Sequence, residues 1–408
     1  KSIVSTFKTC FMYKFLLCIY LFPSLLSAQN LIVNGGFERN NPAQDIRLTS
    51  CKPCTFSATS NVFNDNALGW KTYEVMTPDL LIYDTVSPCS KLPRPHGGNR
   101  MVGLIMYHPF QDGQFAFDYH ELIQGTLAKP LEPGKTYRIR FWVRSDDSLG
   151  VQHLNQVFGR STSIKPIRSG NFGFSFSKNK FNQKENFMLS QVDFPIKPQL
   201  VLETIVETNG RWQCINLDFK ADQPYKYFLF GNFSFDAVTP INMNADDRMR
   251  LDEENTEPKR DFWHKTKRIG YYCFDDFSME EINDAWVERN LLQEKGYTMP
   301  AALLFDSGKW NLKPASQPEL NRLAGILAKK TDLILEIGGY TDNVGTDADN
   351  QRLSEQRARA VCYFLRSKGV AERQLVPRGY GETQPVAEND TEMGRQLNRR
   401  VVFRTFAK

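Results

Sequence analysis

An acid, an amide and a guanidinium stand at suggestive spacing near the C-terminal end of this sequence. Asp342 ends a predicted strand, and a glycine-containing loop leads into a predicted helix that carries Asn350 and Arg357. The last two lie seven positions apart, about two helical turns, so they can share one helix face. A carboxylate beside a guanidinium suits a zwitterionic ligand. The carboxylate accepts hydrogen bonds from the ligand's ammonium group, and the guanidinium donates two hydrogen bonds to the ligand's carboxylate. Spacing alone equally allows a surface ion pair between Asp342 and Arg357, which contributes little.

The elements around these residues alternate between strand and helix. Periodicity predicts strands at 303–305, 333–338, 374–378 and 401–403, and amphipathic helices at 318–330 and 353–368. This order predicts a small α/β domain with βαβαββ topology. Cys362 falls on the inward stripe of the second helix, so we expect a packed thiol there.

The first two thirds of the chain are predicted to be all-β. In the segment Tyr137–Arg144 apolar residues alternate with arginines and Trp142, the pattern of a half-buried strand. Further strands are predicted at 101–107, 215–219, 227–233 and 271–277. The 30 Phe, 15 Tyr and 6 Trp are many for a chain of this size and favour an extended β-region. Long polar connections between the strands indicate a two-sheet sandwich.

Length and composition narrow the class of protein. A chain of 408 residues exceeds a single core, so we expect more than one domain. Its 41% hydrophobic and 24% charged content excludes a disordered chain, a collagen-like repeat and a polytopic helical membrane protein. The net charge of +5 comes without a basic run, so nucleic acid is not an expected partner. We predict a sandwich at 29–282, a helical linker at 283–296 and the α/β domain at 297–408.

The N-terminal residues 1–28 have the order of a secretory signal peptide. Lys8 and Lys14 precede the apolar run 15–22, and small residues ending at Ala28 follow. A single membrane span is the alternative, but the run is shorter than the roughly 20 residues a span needs. We therefore expect export, with cleavage near Ala28.

Export would place Cys51, Cys54 and Cys89 in an oxidising compartment, where they are candidates for disulfide bonds. A zinc site is the alternative use of Cys51 and Cys54. No second Cys pair and no paired His completes four ligands. We predict no catalytic metal.

Several ordered motifs in the last 110 residues or so carry a family resemblance. They are Phe305-Asp306, Gly339-Tyr340-Thr341-Asp342, Asn350-x-x-Leu353-Ser354-x-x-Arg357-Ala358, Gly379-Tyr380-Gly381-Glu382 and Asn398-Arg399-Arg400-Val401. Together they resemble the OmpA-like peptidoglycan-binding domain, from about Tyr297 to Phe406. The resemblance implies non-covalent binding of the diaminopimelate of the peptidoglycan stem peptide.

The same resemblance assigns roles to single residues. It places the family's acid at Asp342, its arginine at Arg357 and its supporting asparagine at Asn350. By the same match the remaining pocket residues are Thr341, Leu353 and Arg400. The sequence departs from the family pattern at Tyr340, where a histidine is usual, and this bears on affinity rather than on identity.

Shorter motifs give the N-terminal half a second resemblance. Asn34-Gly35-Gly36-Phe37-Glu38, Pro95-His96-Gly97-Gly98-Asn99 and Phe274-Asp275-Asp276-Phe277 are similar to the galactose-binding-like jelly rolls of carbohydrate-binding modules. The likeness is greatest to those fused to OmpA-like domains in surface proteins of the Bacteroidetes. In that fold the first and last strands lie together.

Two kinds of ligand follow for this half of the chain. Glu38 and Asp276 are candidate ligands of a structural calcium ion, which prefers hard oxygen donors. The alternative is that both carboxylates end strands in solvent. Trp70 and Trp142 are candidates for stacking on sugar rings, and the alternative is that they belong to the core.

The sequence as a whole predicts a non-catalytic, exported protein of the cell envelope, associated with the outer membrane and anchored to peptidoglycan. Its sandwich presents a surface for glycan or an envelope protein, and calcium is the sole cofactor considered. One alternative is an outer-membrane protein whose N-terminal half is a transmembrane β-barrel, against which the long polar loops argue. Another is a glycan hydrolase using Asp146 and Asp147 or Asp275 and Asp276. Adjacent acids on a strand point to opposite faces, which disfavours it.

Overall fold

The computed structural model of this chain describes most of its two predicted domains. The described residues are 30–39, 63–64, 66–73, 78–83, 92–112, 115–149, 165–181, 196–236, 238–243, 268–292, 296–300, 304–306 and 308–407. The predicted signal peptide and the disulfide candidates Cys51, Cys54 and Cys89 lie outside these residues.

The described part of the N-terminal region is mostly β-sheet. Its strands are β1 (Trp70–Thr72), β2 (Asp79–Ile82), β3 (Arg100–Tyr107), β4 (Pro109–Asp112), β5 (Phe115–Asp118), β6 (Ile123–Thr126), β7 (Thr136–Ser145), β8 (Lys165–Pro166), β9 (Phe172–Ser177), β10 (Leu200–Leu202), β11 (Gln213–Lys220), β12 (Tyr227–Asn232) and β13 (Arg268–Glu281). Within the described ranges one sheet has the order β1-β6-β12-β9-β10 and the other the order β11-β7-β13-β3-β2, with β8 paired to β13. Strands β4 and β5 form a separate hairpin.

The two larger sheets share one hydrophobic core. Along β7 the side chains of Tyr137, Ile139, Phe141 and Val143 are buried, as the alternation predicts. They pack in a single cluster with aromatic residues of β9, β12 and β13. The two-sheet sandwich is therefore held by apolar residues that every second position turns inward.

Trp70 belongs to this core rather than to a ligand surface. Only 1% of it is exposed, its ring lies edge-on to Phe228 at a centroid distance of 5.5 Å, and its Nε1 donates to the carbonyl of Asn34 at 2.9 Å. Burial of the ring and satisfaction of its single donor leave no face for a sugar.

The C-terminal region is a four-stranded sheet covered by helices. In chain order its elements are α1 (Asp284–Leu291), β14 (Tyr297–Pro300), α2 (Gln317–Lys329), β15 (Leu333–Gly339), α3 (Asp347–Ser367), β16 (Leu375–Gly379), α4 (Glu392–Asn398) and β17 (Arg400–Ala407). The strand order is β14-β17-β15-β16, with β15 and β16 parallel and the other pairs antiparallel. Cys362 lies in the core of this domain, as predicted, and its burial raises the pKa of the thiol.

Two elements differ from the predicted βαβαββ order. The first strand is Tyr297–Pro300, whereas Phe305 makes an isolated bridge to Leu312. A short helix, α4, stands between the last two strands. Helix α4 was not predicted because seven residues are too few to show a periodic apolar pattern. Its start is marked by an N-cap, in which Thr391 accepts from the N–H of Gly394 at 3.0 Å.

The predicted linker helix, α1, is part of the C-terminal core. Trp286, Val287 and Leu291 are buried there, and Asn283 caps the helix by accepting from the N–H of Trp286 at 2.9 Å. On the sandwich side Arg138 places its guanidinium carbon 5.0 Å from the centre of the Trp286 ring and donates two hydrogen bonds to Asp218. The junction is thus packed on both sides.

The helices in the described ranges fall short of the length and apolarity that a membrane-crossing helix needs.

Trp70→Ala removes the largest side chain of the sandwich core. We expect the free energy of unfolding to fall by about 3–5 kcal/mol, because lost burial and a residual cavity add together. Chemical denaturation of the full chain measures this. Trp310→Ala is the control, since that side chain is 46% exposed and its loss should change stability by no more than about 0.5 kcal/mol. Equal effects of the two changes would contradict the assignment of Trp70 to the core.

Candidate functional site

Two glycines let helix α3 lie directly on the sheet. A Cβ atom on Gly339 would stand 2.2 Å from the carbonyl oxygen of Ser354, and one on Gly379 would stand 2.6 Å from the nitrogen of Glu355. Real Cβ atoms do not approach backbone so closely, so these positions require glycine. Because both glycines end parallel strands, the first turns of α3 cross the carboxyl ends of β15 and β16.

The loop between β15 and α3 presents Asp342. Its Oδ1 accepts from the N–H of Val344 at 3.1 Å, a turn that aspartate commonly forms. Gly345 takes a left-handed φ of 107°, and the helix then begins after Thr346, which accepts from the N–H of Asp349. The loop is therefore held at both ends.

Asn350 joins this loop to its surroundings. Its buried Nδ2 donates to the backbone carbonyl of Asp342 at 3.2 Å and to Oε2 of Glu382 at 2.7 Å. The amide acts on the backbone of Asp342, not on its carboxylate. Asn350 therefore sets where the carboxylate stands.

Arg357 lies two turns further along α3 and is 3% exposed. Its Nε donates to the carbonyl of Lys309 at 3.0 Å, and its guanidinium carbon stands 5.3 Å from the centre of the Phe305 ring. These contacts orient the guanidinium but bring no opposite charge against it.

Asp342 forms its ion pair with Arg399. Nη1 of Arg399 lies 2.5 Å from Oδ2 of Asp342, and its Nη2 lies 2.5 Å from Oε1 of Glu392. The structure thus brings a second arginine to the site, one that the sequence analysis named only as part of the motif Asn398-Arg399-Arg400-Val401. The signal in the sequence is the adjacent basic pair Arg399-Arg400, which does not show which of the two meets Asp342.

The two arginines differ in how their charge is balanced. Burial lowers the pKa of Arg357, and the attraction of the Asp342 carboxylate, which acts to raise that pKa, is too weak to offset the effect of burial. Burial also acts to lower the pKa of Arg399, but its hydrogen bonds to Glu392 and Asp342 outweigh this and raise it. Arg357 is therefore a buried cation that an incoming anion would stabilise, close to a carboxylate that an incoming cation can reach.

The other predicted pocket residues are placed as follows. Thr341 is buried, and its Oγ1 has no hydrogen-bond partner among the described residues. Leu353 is half-buried on α3. The guanidinium of Arg400 lies 3.9 Å from the centre of the Tyr340 ring and donates to the carbonyl of Gln384 at 2.9 Å. Burial lowers its pKa to about 10.

Two exposed apolar side chains accompany the charged pair. Trp310 follows Lys309, whose carbonyl holds Arg357, and Val344 supplies the N–H that holds Asp342. Both side chains are exposed, although the desolvation of apolar surface favours burial. The site therefore combines a cation and an anion with apolar surface in the adjoining loops.

A second group of charged residues lies at one end of the sandwich. Oε1 of Glu38 accepts from the N–H groups of Asn99 and Arg100, each at 2.8 Å. Oδ2 of Asp276 stands 2.6 Å from Nδ1 of His96. These protein donors already bind the two carboxylates that were candidates for calcium.

A calcium ion takes six to eight oxygen ligands, backbone carbonyls among them, and a calcium site here stays a prediction. Across the described ranges no group of three His, Cys, Asp or Glu side chains is placed to hold a metal ion. In this structure both carboxylates hold the loop 96–100: Glu38 binds Asn99 and Arg100, and Asp276 of β13 contacts His96.

The alternation argument fails at Asp275 and Asp276. The register between β13 and β7 pairs Asp275 with Trp142 and Ser278 with Arg140, so β13 contains one extra residue there. Asp276 has a left-handed φ of 49°. Consequently both carboxylates meet the same loop: Oδ2 of Asp275 accepts from the N–H of Gly97 at 3.0 Å, and Asp276 contacts His96.

Trp142 lies on the outer face of the sandwich under a loop. The ring of His96 stacks on it at a centroid distance of 3.7 Å, and Trp212 stands edge-on to His96 at 6.3 Å. Both tryptophans are half-buried. Of the two tryptophans predicted to meet sugars, only Trp142 is near solvent.

Comparison with known proteins identifies the C-terminal domain. Residues 304–399 match the model of the OmpA family. The chain is 44% identical over 109 residues, 25% of its length, to the photosystem I P700 chlorophyll a apoprotein A2 of Gloeobacter violaceus, of which this covers 12%. It is 44% identical over 97 residues, 24% of its length, to outer membrane porin F of Pseudomonas fluorescens, of which this covers 30%.

One solved structure also matches part of the chain. The chain is 29% identical to the peptidoglycan-associated lipoprotein of Burkholderia pseudomallei, over 26% of this chain and 88% of that one, with a TM-score of 0.25. The chain spans half or less of the length of the curated relatives it matches. The OmpA family match confirms the predicted C-terminal family. The jelly-roll resemblance of the sandwich stays a prediction.

Asp275 gives the sandwich a measurable dependence on pH. Burial raises its pKa to about 7, although hydrogen bonds from the N–H groups of Gly97 and Asp276 act to lower it. An aspartate in an unfolded chain titrates near pH 4, so the stabilising contribution of the protonated group is complete below about pH 4 and is lost as the pH rises to about 7.

We therefore expect the free energy of unfolding of the native chain to fall, relative to that of Asp275→Asn, between about pH 4 and pH 7. Denaturant titrations at several pH values measure the difference. Glu203→Gln, which changes an exposed carboxylate of the same domain, should leave the pH profile unchanged. Parallel profiles for the native chain and Asp275→Asn would refute the prediction.

Proposed function

We propose that this chain anchors to peptidoglycan through its OmpA family domain. The observation that carries the proposal is the buried guanidinium of Arg357, which has no ion-pair partner among the described residues and lies near enough to Asp342 for that carboxylate to act on its pKa. Such a pair receives a molecule that has an ammonium and a carboxylate on one carbon. The ammonium and the carboxylate of the ligand would then exchange their hydrogen bonds to water for hydrogen bonds to Asp342 and Arg357.

The free end of stem-peptide diaminopimelate has this chemistry. Its carboxylate would lie against Arg357 and its ammonium against Asp342. The two oxygens of Asp342 each receive one hydrogen bond from the described residues, from Val344 and from Arg399. An ionised carboxylate has about four acceptor positions, so the ammonium can bind without displacing either donor. The aliphatic chain of diaminopimelate would meet the exposed apolar surface of Trp310 and Val344.

The OmpA family match and the envelope location named for relatives such as outer membrane porin F support this assignment. The site binds charges through fixed side chains, which favours a non-catalytic role. We extend the proposal to export and to association with the outer membrane, in agreement with the predicted signal peptide. Binding of the wall would then hold the sandwich at the cell envelope.

The sandwich would present the surface for a further partner, a glycan or an envelope protein. The aromatic group of the exposed His96 and the half-buried Trp142 and Trp212 favours a glycan, because aromatic faces and edges pack against the apolar faces of sugar rings. Asp276 and Arg94 stand beside these rings and offer hydrogen bonds to hydroxyl groups.

Asp342→Ala and Arg357→Ala should each abolish sedimentation of the full chain with purified peptidoglycan, because each removes one of the two charges that the ligand needs. Asp332→Ala and Arg373→Ala are matched controls, since they remove an exposed acid and an exposed arginine of the same domain. Circular dichroism checks that all four variants fold.

The same assay identifies the ligand. Free meso-diaminopimelate should compete with the wall, whereas lysine with its α-amino and α-carboxyl groups blocked, which offers an ammonium without a carboxylate, should not. Undiminished sedimentation of both site variants would refute the proposed function. Equal competition by the blocked lysine would refute the role given to Arg357.

A glycan array probed with the full chain tests the surface of the sandwich. Trp142→Ala should lose the binding that the native chain shows, because the stacked aromatic group is dismantled. Tyr363→Ala, which removes an exposed aromatic ring from α3, should bind as the native chain does. An array pattern unaffected by Trp142→Ala would exclude this surface.

A further inference from the structure

Two faces of helix α4 make contacts with other parts of the structure. Met393 and Gln396 lie three positions apart and share one face, while Glu392, Arg395 and the following Arg399 share the next. The first face contacts the sandwich, and the second contacts the Asp342 site. One short helix therefore touches both domains.

The contacts with the sandwich are apolar at the centre and polar around it. Met393 is 3% exposed and belongs to the hydrophobic cluster of the sandwich. Gln396 accepts from the hydroxyl of Thr204 at 3.2 Å. In the segment before α4, Asp390 accepts from Nδ2 of Asn209 at 2.5 Å.

Arg211 completes this set through an ion pair with Glu388. The sandwich residues that make the polar contacts, Thr204, Asn209 and Arg211, fall within 204–211, a segment between β10 and β11. The ion pair is exposed, so most of the hold on α4 comes from Met393.

The other face of α4 leads to the proposed ligand site. Glu392 accepts from Nη2 of Arg399 at 2.5 Å and from Arg395 at 3.0 Å. The same Arg399 donates from Nη1 to Asp342 at 2.5 Å. Glu392 thus sets the direction in which Arg399 reaches Asp342.

A helix of seven residues is too short to hold its place by its own hydrogen bonds. Its position follows from what packs on it. We infer that the sandwich is a positioning part of the peptidoglycan site: its segment 204–211 and core hold α4, and α4 places Arg399 on Asp342. This inference rests on the proposed function. By linkage, a change at segment 204–211 alters affinity for the wall, and wall binding alters that segment to the same extent.

The test uses the full chain and a soluble disaccharide-tripeptide that carries diaminopimelate, with affinity measured by calorimetry. Met393→Ala should weaken binding by about fivefold or more, the lower end of measured couplings between sites. In an Arg399→Gln background the same change should have no further effect, because the path through Arg399 is already broken. An equal loss in both backgrounds, or no loss in either, would overturn the inference.

Charge reversal gives a second, independent arm. Arg211→Glu and Glu388→Arg should each weaken binding by about twofold, and the double variant should regain native affinity, as expected for an exposed pair. Arg359→Glu is the control, because it breaks an exposed ion pair on α3 with Glu355. Absence of rescue in the double variant would count against the inference.

Hydrogen exchange separates this inference from the proposed function. Met393→Ala should speed exchange of the α4 amides without any ligand, because the helix loses its anchor. If exchange of those amides speeds up but Asp342→Ala leaves the affinity for the disaccharide-tripeptide unchanged, the proposed function fails, while the positioning of α4 by the sandwich stands. If α4 does not respond, the inference fails whatever the chain binds.

Discussion

The close contact of helix α3 with the carboxyl ends of β15 and β16 is the constraint on which the C-terminal site depends. Gly339 and Gly379 permit it, since any side chain there would overlap the helix backbone. Because α3 lies directly on the sheet, Asn350 donates to the backbone carbonyl of Asp342 in the preceding loop, and Arg357 donates to the carbonyl of Lys309. Packing thus decides where the charges stand, and burying Arg357 carries a cost that the proposed anionic ligand would offset.

The sequence was sufficient to predict the residues of this site that lie close together along the chain. Asp342 follows the end of a strand, and Asn350 and Arg357 lie on the next helix, where helical spacing relates them. The sequence was insufficient to predict the role of Arg399. Which member of the Arg399-Arg400 pair meets Asp342 depends on where α4 stops and β17 starts, and a shift of one residue would exchange them. No local pattern marks that boundary.

The sandwich shows the same division. Alternation correctly assigned the inward face of β7 and the outward position of Trp142, because a strand buried on one face leaves that pattern. It failed at Asp275 and Asp276, where an extra residue in β13 turns both acids toward the loop that contains His96 and Gly97. A bulge is a relation between two strands, so a single strand's sequence does not display it.

The placement of β13 has a mechanical consequence. This strand lies between β3 and β7 in the middle of its sheet, and two residues separate it from α1, which is packed into the core of the other domain. Tension on the C-terminal domain therefore enters the sandwich along the axis of β13. It loads the hydrogen bonds of both flanking ladders in shear, many at once, rather than peeling an edge strand bond by bond. Force along β13 is therefore shared by the hydrogen bonds of two ladders.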